Sequence, residues 1–126
     1  MGYAAAYQGD YVEAKSLLTA RTKSRNPETL RARWDGAAAL LGWWHKLEVS
    51  QRPPLDRLKD EDAQAFIHSL EDRGLARSTI KSYRVGASAL TKAIRWAQDP
   101  RNSYIYPAYD PFRDARPNRQ YVRRRR

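Results

Sequence analysis

The chain has 126 residues, with 24 Lys and Arg against 14 Asp and Glu, a formal net charge of +10 and no cysteine. That length suffices for one small domain with a modest core, and a disulfide-stapled scaffold is excluded. A pI near 10.2 calls for a polyanionic partner, and a mean hydropathy of −0.86 with no run near the ~20 apolar residues of a membrane span favours nucleic acid over a membrane surface.

The opening MGYAAAYQGDYVEAK lacks the basic and long apolar regions of a secretory signal, so a cytoplasmic protein is expected. Valine occurs only singly and no alternating β-branched run exists, so the chain is expected to be all-α. A first helix is expected from Tyr3 or Asp10 to Thr22, with Tyr7, Tyr11, Ala14, Leu17, Leu18 and Arg21 on one stripe. A basic connector follows, containing Lys23 and Arg25.

Asn26, Pro27 and Glu28 form a clear start signal: an N-cap, a proline whose missing N–H costs nothing at the first position, and an acid in the first turn. The second helix should run to about Leu47 and bury Leu30, Trp34, Ala37, Leu40, Leu41, Trp44 and Leu47, with Arg31 and Arg33 in its first two turns. Gly36 and Gly42 each cost about 1 kcal/mol relative to alanine in a helix interior, so close approach of another backbone is expected there. Trp43 and Trp44 are adjacent and cannot face the same way; the cluster reads as ordinary core.

Two prolines make the stretch from Glu48 to Leu55 a loop. Asp60 is expected to cap a third, acidic helix through Arg73, with Ala63, Phe66, Ile67 and Leu70 inward and Gly74 as its stop. A helix rich in carboxylates should face away from a polyanion.

The fourth helix is expected from the cap Ser78 to Gln98, before Asp99-Pro100. Ile80, Tyr83, Ala87, Leu90, Ile94 and Ala97 fall on one side, the expected core face. Lys81, Arg84, Ser88, Lys92 and Arg95 fall on the other with no acid among them, a face suited to an anion. Beyond Pro100 no period persists. A short helix or extended segment around Tyr104 to Phe112 is expected, then a flexible basic tail ending in four arginines. This places a helical domain at 1–112 and a basic tail, or the start of a linker, at 113–126.

Candidate chemistry is sparse. His45 and His68 have no metal-ligand spacing to other donors, so no metal or cofactor is expected. Asp60, Glu61 and Asp62 are consecutive and fan out around the helix axis, which suits a helix start and not a general acid/base pair. No phosphate loop, nucleophile elbow or HExxH occurs, and neither an enzyme nor a small-molecule site is expected on this chain.

Several pieces in order resemble the N-terminal core-binding domain of the tyrosine recombinases, the phage integrase and Xer-type family. They are the connector and Thr-Leu-Arg within Arg25 to Ala32; Leu58-x-x-Glu61-Asp62-x-x-x-Phe66-x-x-x-Leu70; Gly74-Leu75-x-x-Ser78-Thr79-Ile80; Leu90 with Ile94-Arg95-Trp96-Ala97; and Asp110-Pro111-Phe112. The resemblance covers roughly Asp10 to Phe112. It implies a compact four-helix, SAM-like bundle of two crossed helical hairpins, forming one jaw of a clamp on duplex DNA during DNA integration or recombination in a prokaryotic or phage setting. The implied partners are double-stranded DNA, a C-terminal catalytic domain and further recombinase protomers.

In that family the second and fourth helices approach the DNA. The implied contact residues are therefore Lys81, Arg84, Ser88, Lys92 and Arg95 of the fourth helix, and Arg31 and Arg33 of the second, joined by Lys23 and Arg25 of the connector. Arg84 or Lys81 would reach base edges. Two departures stand out. Arg33 occupies a position that is often aromatic in the family, with Trp34 taking over the packing one residue later. The catalytic arginines, lysine, His-x-x-Arg and nucleophilic tyrosine are absent: His45 precedes Lys-Leu-Glu, His68 precedes Ser-Leu-Glu, and Tyr104, Tyr106, Tyr109 and Tyr121 lack activating neighbours. Two other classes fit the same composition, a freestanding helical DNA-binding regulator or nucleoid protein and a SAM-like protein-interaction module.

Overall fold

Asp10, Asn26 and Gly74 mark helix boundaries in the computed structural model, which describes residues 7–98 and 110–121. Helix α1 (Tyr11–Arg21) starts at the later of its two expected positions, because the Asp10 carboxylate accepts the Glu13 N–H at 2.9 Å. Upstream of it, Tyr7 is buried and its hydroxyl donates to the Asp10 carbonyl. Burial lifts that phenol above its ordinary titration range, and Glu13, Asp10 and Tyr11 push the same way.

Helix α2 (Pro27–Lys46) is capped by Asn26, whose side chain accepts the Glu28 N–H at 2.9 Å. Arg52 terminates it, donating to the carbonyls of His45 at 2.7 Å and Leu47 at 3.2 Å while its guanidinium lies 4.9 Å over the Trp44 ring. These bonds satisfy carbonyls that a helix end leaves without partners. The following proline stretch is irregular as expected, except that Val49–Gln51 form a 3-10 turn just before the prolines act.

Helix α3 (Asp60–Asp72) corrects the expected cap. Lys59 holds the N-cap position and Asp60 is the first helical residue, because the Asp62 carboxylate reaches back to accept the Lys59 N–H at 2.9 Å. At its far end Gly74 has φ +74°, and the Gly74 and Leu75 amides close onto the carbonyls of Glu71 and Leu70 in a Schellman arrangement. Helix α4 (Arg77–Gln98) begins one residue before Ser78, with the Ala76 carbonyl accepting the Ile80 N–H at 2.9 Å. Ser78 therefore lies in the first turn and is not the cap.

Four helices pack into one bundle, with no strand among the described residues. The core draws Leu40 and Leu41 from α2, Phe66, Ile67 and Leu70 from α3, and Ile80, Leu90 and Ile94 from α4, while Leu55 and Leu58 seal it from the loop. Trp44 is buried and Trp43 half-buried, edge-on to Phe66. The largest helix contact joins α2 to α4, and two glycines permit it. A Cβ on Gly36 would lie 2.5 Å from the Tyr83 carbonyl oxygen, and one on Gly86 would collide with the Arg33 carbonyl. Gly42 does not share this role: its Cβ would meet only the Tyr11 hydroxyl, at 3.9 Å.

Helix α4 is covered on more than the expected core face. Gly86, Ser88, Thr91 and Ala93 are buried along with Ile80, Ala87, Leu90 and Ile94, because small residues let neighbours close on additional sides. One of those neighbours is the segment 110–121. Phe112 is 1% exposed and packs edge-on to Phe66, and Ala115 is buried behind it. The expected end of the folded domain at Phe112 is thus corrected: residues 113–121 are held by bonds from Gln64 to Arg116, Glu71 to Asn118 and Arg77 to the carbonyls of Asn118, Arg119 and Tyr121. The segment expected around Tyr104 and the terminal four arginines lie outside the described residues.

Candidate nucleic-acid interface

The last turn of α1, the 22–26 connector, α2, α4 and residues 110–113 surround a groove of about 620 Å³. Among the described residues six cationic side chains line it, Arg21, Lys23, Arg33, Arg84, Lys92 and Arg113, against a single acid, Asp110. No α3 residue contributes to that lining. Like charges gathered around a concave, partly apolar wall focus the potential, so the groove attracts anions more strongly than the same charges spread over a flat surface.

The expected contact residues divide into three sets. Lys23, Arg33, Arg84, Ser88 and Lys92 meet in this groove. Lys81 lies beside it, in a second groove of about 350 Å³ lined by Thr29, Ser78 and Ser82, which Arg33 also borders. Arg31, Arg25 and Arg95 line neither. Arg31 is exposed, Arg25 is exposed and donates to the Thr19 carbonyl at 3.3 Å, and half-buried Arg95 donates to the Asp56 carbonyl at 3.4 Å.

A continuous open basic face on α4 is therefore corrected. Ser88 is only 9% exposed, and its hydroxyl donates to an Asp110 carboxylate oxygen at 2.8 Å. Lys92 lies 3.6 Å from the same oxygen. Arg84 donates to the carbonyls of Phe112 at 3.3 Å and Arg113 at 3.2 Å. The middle of the face is bridged by the returning chain. By contrast Lys23, Arg31, Arg33 and Lys81 make no hydrogen bond or ion pair among the described residues, which leaves their charges available to a ligand.

Arg21, Arg113 and Asp110 belong to the groove without being expected there. Helical periodicity puts Arg21 on the apolar stripe of α1; it is exposed, with its guanidinium 4.9 Å over the ring of Trp96, itself 38% exposed. The available signal is the position of Arg21 in a last helical turn next to a basic connector. Nothing local marks Arg113 or Asp110, which reach the groove only through the return of the chain.

Neither histidine lines this groove. His45 is half-buried, donates from Nε2 to the Gly9 carbonyl at 2.9 Å and stacks on Tyr11; His68 meets Gln64 on the surface of α3. No group of three His, Asp or Glu side chains able to hold a metal occurs among the described residues. Tyr121 is half-buried, with its hydroxyl donated to the Leu75 carbonyl. None of the described helices is long and apolar enough to cross a membrane. No protein-family model, curated protein or solved structure matches this chain. The arrangement is suited to holding a polyanion by charge and hydrogen bonding.

Proposed function

We propose that this chain binds duplex DNA through the cationic groove between α1, α2 and α4, as the core-binding domain of a tyrosine-type recombinase or integrase. The observation that carries the reading is the convergence, among the described residues, of six cations, from α1, the connector, α2, α4 and the returning segment, around one groove with a single acid. The sequence resemblance adds the recombinase context and the expectation of a separate catalytic domain. Phosphates would set the register, and Arg33, shared by both grooves, and Lys81 are the leading candidates for contacts to base edges. One jaw of a clamp lacks the avidity of two, so binding by this domain alone is weak, with a Kd of roughly 1 µM or above at physiological salt.

One observation favours a second reading, a freestanding helical DNA-binding protein: residues 110–121 return to the body instead of heading away from it. Fluorescence anisotropy on duplex DNA across a salt series tests both. Contact with roughly 4 to 6 phosphates gives a log–log slope of roughly −4 to −5. Replacing Lys23, Arg33 and Lys81, which line the two grooves, by glutamine removes only charges without a side-chain partner among the described residues, and should flatten the slope by about 2 to 3. A companion truncation after residue 121, which spares the packed segment, removes the arginine tail. Salt-independent binding, or a triple variant indistinguishable from the parent, would refute the two grooves as the interface. Sub-micromolar affinity of the isolated chain would favour the freestanding reading.

A further inference from the structure

Asp110 is the only acid lining the groove among the described residues, and its position there is specific. Its Oδ2 accepts the Ser88 hydroxyl at 2.8 Å and faces the Lys92 ammonium at 3.6 Å, while its Oδ1 accepts the Phe112 N–H at 3.0 Å. A hydroxyl donor, an ammonium and a backbone amide around one carboxylate are the groups that hold a phosphate oxygen. Ser88 and Lys92 are i and i+4 neighbours on α4, so they present their donors on the same side of that helix. Beyond them stand Arg84 and Arg113, with Arg21, Lys23 and Arg33 on the other walls.

We propose that Ser88, Lys92 and the Phe112 amide form a phosphate subsite, which the chain fills with its own Asp110 carboxylate until a phosphate of the ligand replaces it. This rests on the nucleic-acid reading for the source of the phosphate, but the subsite itself is defined by its donors. The exchange is local. Phe112 is 1% exposed against Phe66, and the Arg84 bonds go to the backbone of Phe112 and Arg113, so these anchors remain while the Asp110 side chain swings out. The cost is one hydroxyl bond, one amide bond and one partly exposed ion pair. A phosphate regains them, and the further charges of a polyanion or pyrophosphate meet the remaining cations of the groove. Asp110 is thus an internal competitor that weakens anion binding and discriminates against small, singly charged ligands.

Asp110→Asn tests this, because the amide keeps an acceptor for Ser88 or for the Phe112 N–H while removing the competing charge. Asp114→Asn is the matched control: it makes the same change in net charge on an exposed residue of the same segment that lines neither groove. Two readouts are taken, anisotropy on duplex DNA and the shift of the thermal midpoint by inorganic pyrophosphate. The Asp110→Asn variant should bind DNA about fivefold more tightly than the parent at ~0.1 M salt and be stabilised more by pyrophosphate, with the control changing by less than about twofold.

Equal effects of the two substitutions would overturn the subsite, since net charge alone would then explain them. If duplex DNA does not bind any form of the chain while pyrophosphate still separates Asp110→Asn from the control, the subsite stands and the nucleic-acid reading falls. DNA binding without that separation leaves the nucleic-acid reading in place and overturns the subsite. Should Asp110→Asn fail to fold, Asp110→Ser retains an oxygen acceptor for the Phe112 amide and is read against the same control.

Discussion

Gly36 and Gly86 set the distance between α2 and α4, since an added Cβ on either meets the opposite backbone and not a side chain that could turn away. Backbone contacts of this kind are relieved only by moving a helix, and that movement would loosen the core shared by Leu40, Leu41, Leu90 and Ile94. Gly86→Ala should therefore cost about 3 kcal/mol of unfolding free energy. Gly42→Ala should instead be neutral or stabilising by about 0.5–1 kcal/mol, because it gains helix propensity and meets only the Tyr11 hydroxyl at 3.9 Å. Urea denaturation of the two variants beside the parent measures the contrast, and equal losses would mean that the glycines do not govern the packing. Both Gly36 and Gly42 stand out in the sequence as costly helix-interior glycines. What separates them is the identity of the neighbour across the interface, which helical periodicity does not encode.

At the scale of elements, Asn26-Pro27-Glu28 and Gly74 are legible because they act through residues a few positions away, whereas the expected caps Asp60 and Ser78 both lie inside the first turn of their helices. The segment 110–121 is the least legible. Its anchors include arginine, glutamine and glutamate side chains bound to main-chain groups 28 to 52 residues away, and a carbonyl or amide partner carries no sequence identity. Arg84, which periodicity alone presents as free charge, is with Arg77 partly committed to holding this segment in place. Phe112 decides whether the segment is structure or tail. Its ring is 1% exposed and stands edge-on to Phe66 at 6.0 Å, so Phe112→Ala should destabilise the whole domain by about 3–5 kcal/mol. A tail residue would cost nothing. Chemical denaturation read by far-UV circular dichroism distinguishes the two, and a loss below about 0.5 kcal/mol would show that the segment is not part of the cooperative unit.

Across the whole molecule, the positive charge raises the question of whether salt stabilises or destabilises the fold. Ion pairs weaken with salt, but Lys92 to Asp110 at 3.6 Å and Arg57 to Asp56 at 3.8 Å are partly exposed, and such pairs contribute roughly 0–1 kcal/mol each. Repulsion opposes them. The six cations around one groove and the formal net charge of +10 make a self-energy that folding concentrates and unfolding relieves. Raising ionic strength from about 0.01 M to about 0.15 M shortens the screening length from about 30 Å to about 8 Å, which removes repulsion across the groove but leaves contacts below about 4 Å less affected. Salt should therefore raise the thermal midpoint, by on the order of 1 kcal/mol or about 4 °C. Removing the four terminal arginines from +10 leaves +6, and the groove cations are untouched, so a truncation after residue 121 should keep most of the rise. A midpoint that falls with salt would place the balance with the ion pairs; a rise that vanishes with the tail would locate the repulsion there and not in the groove.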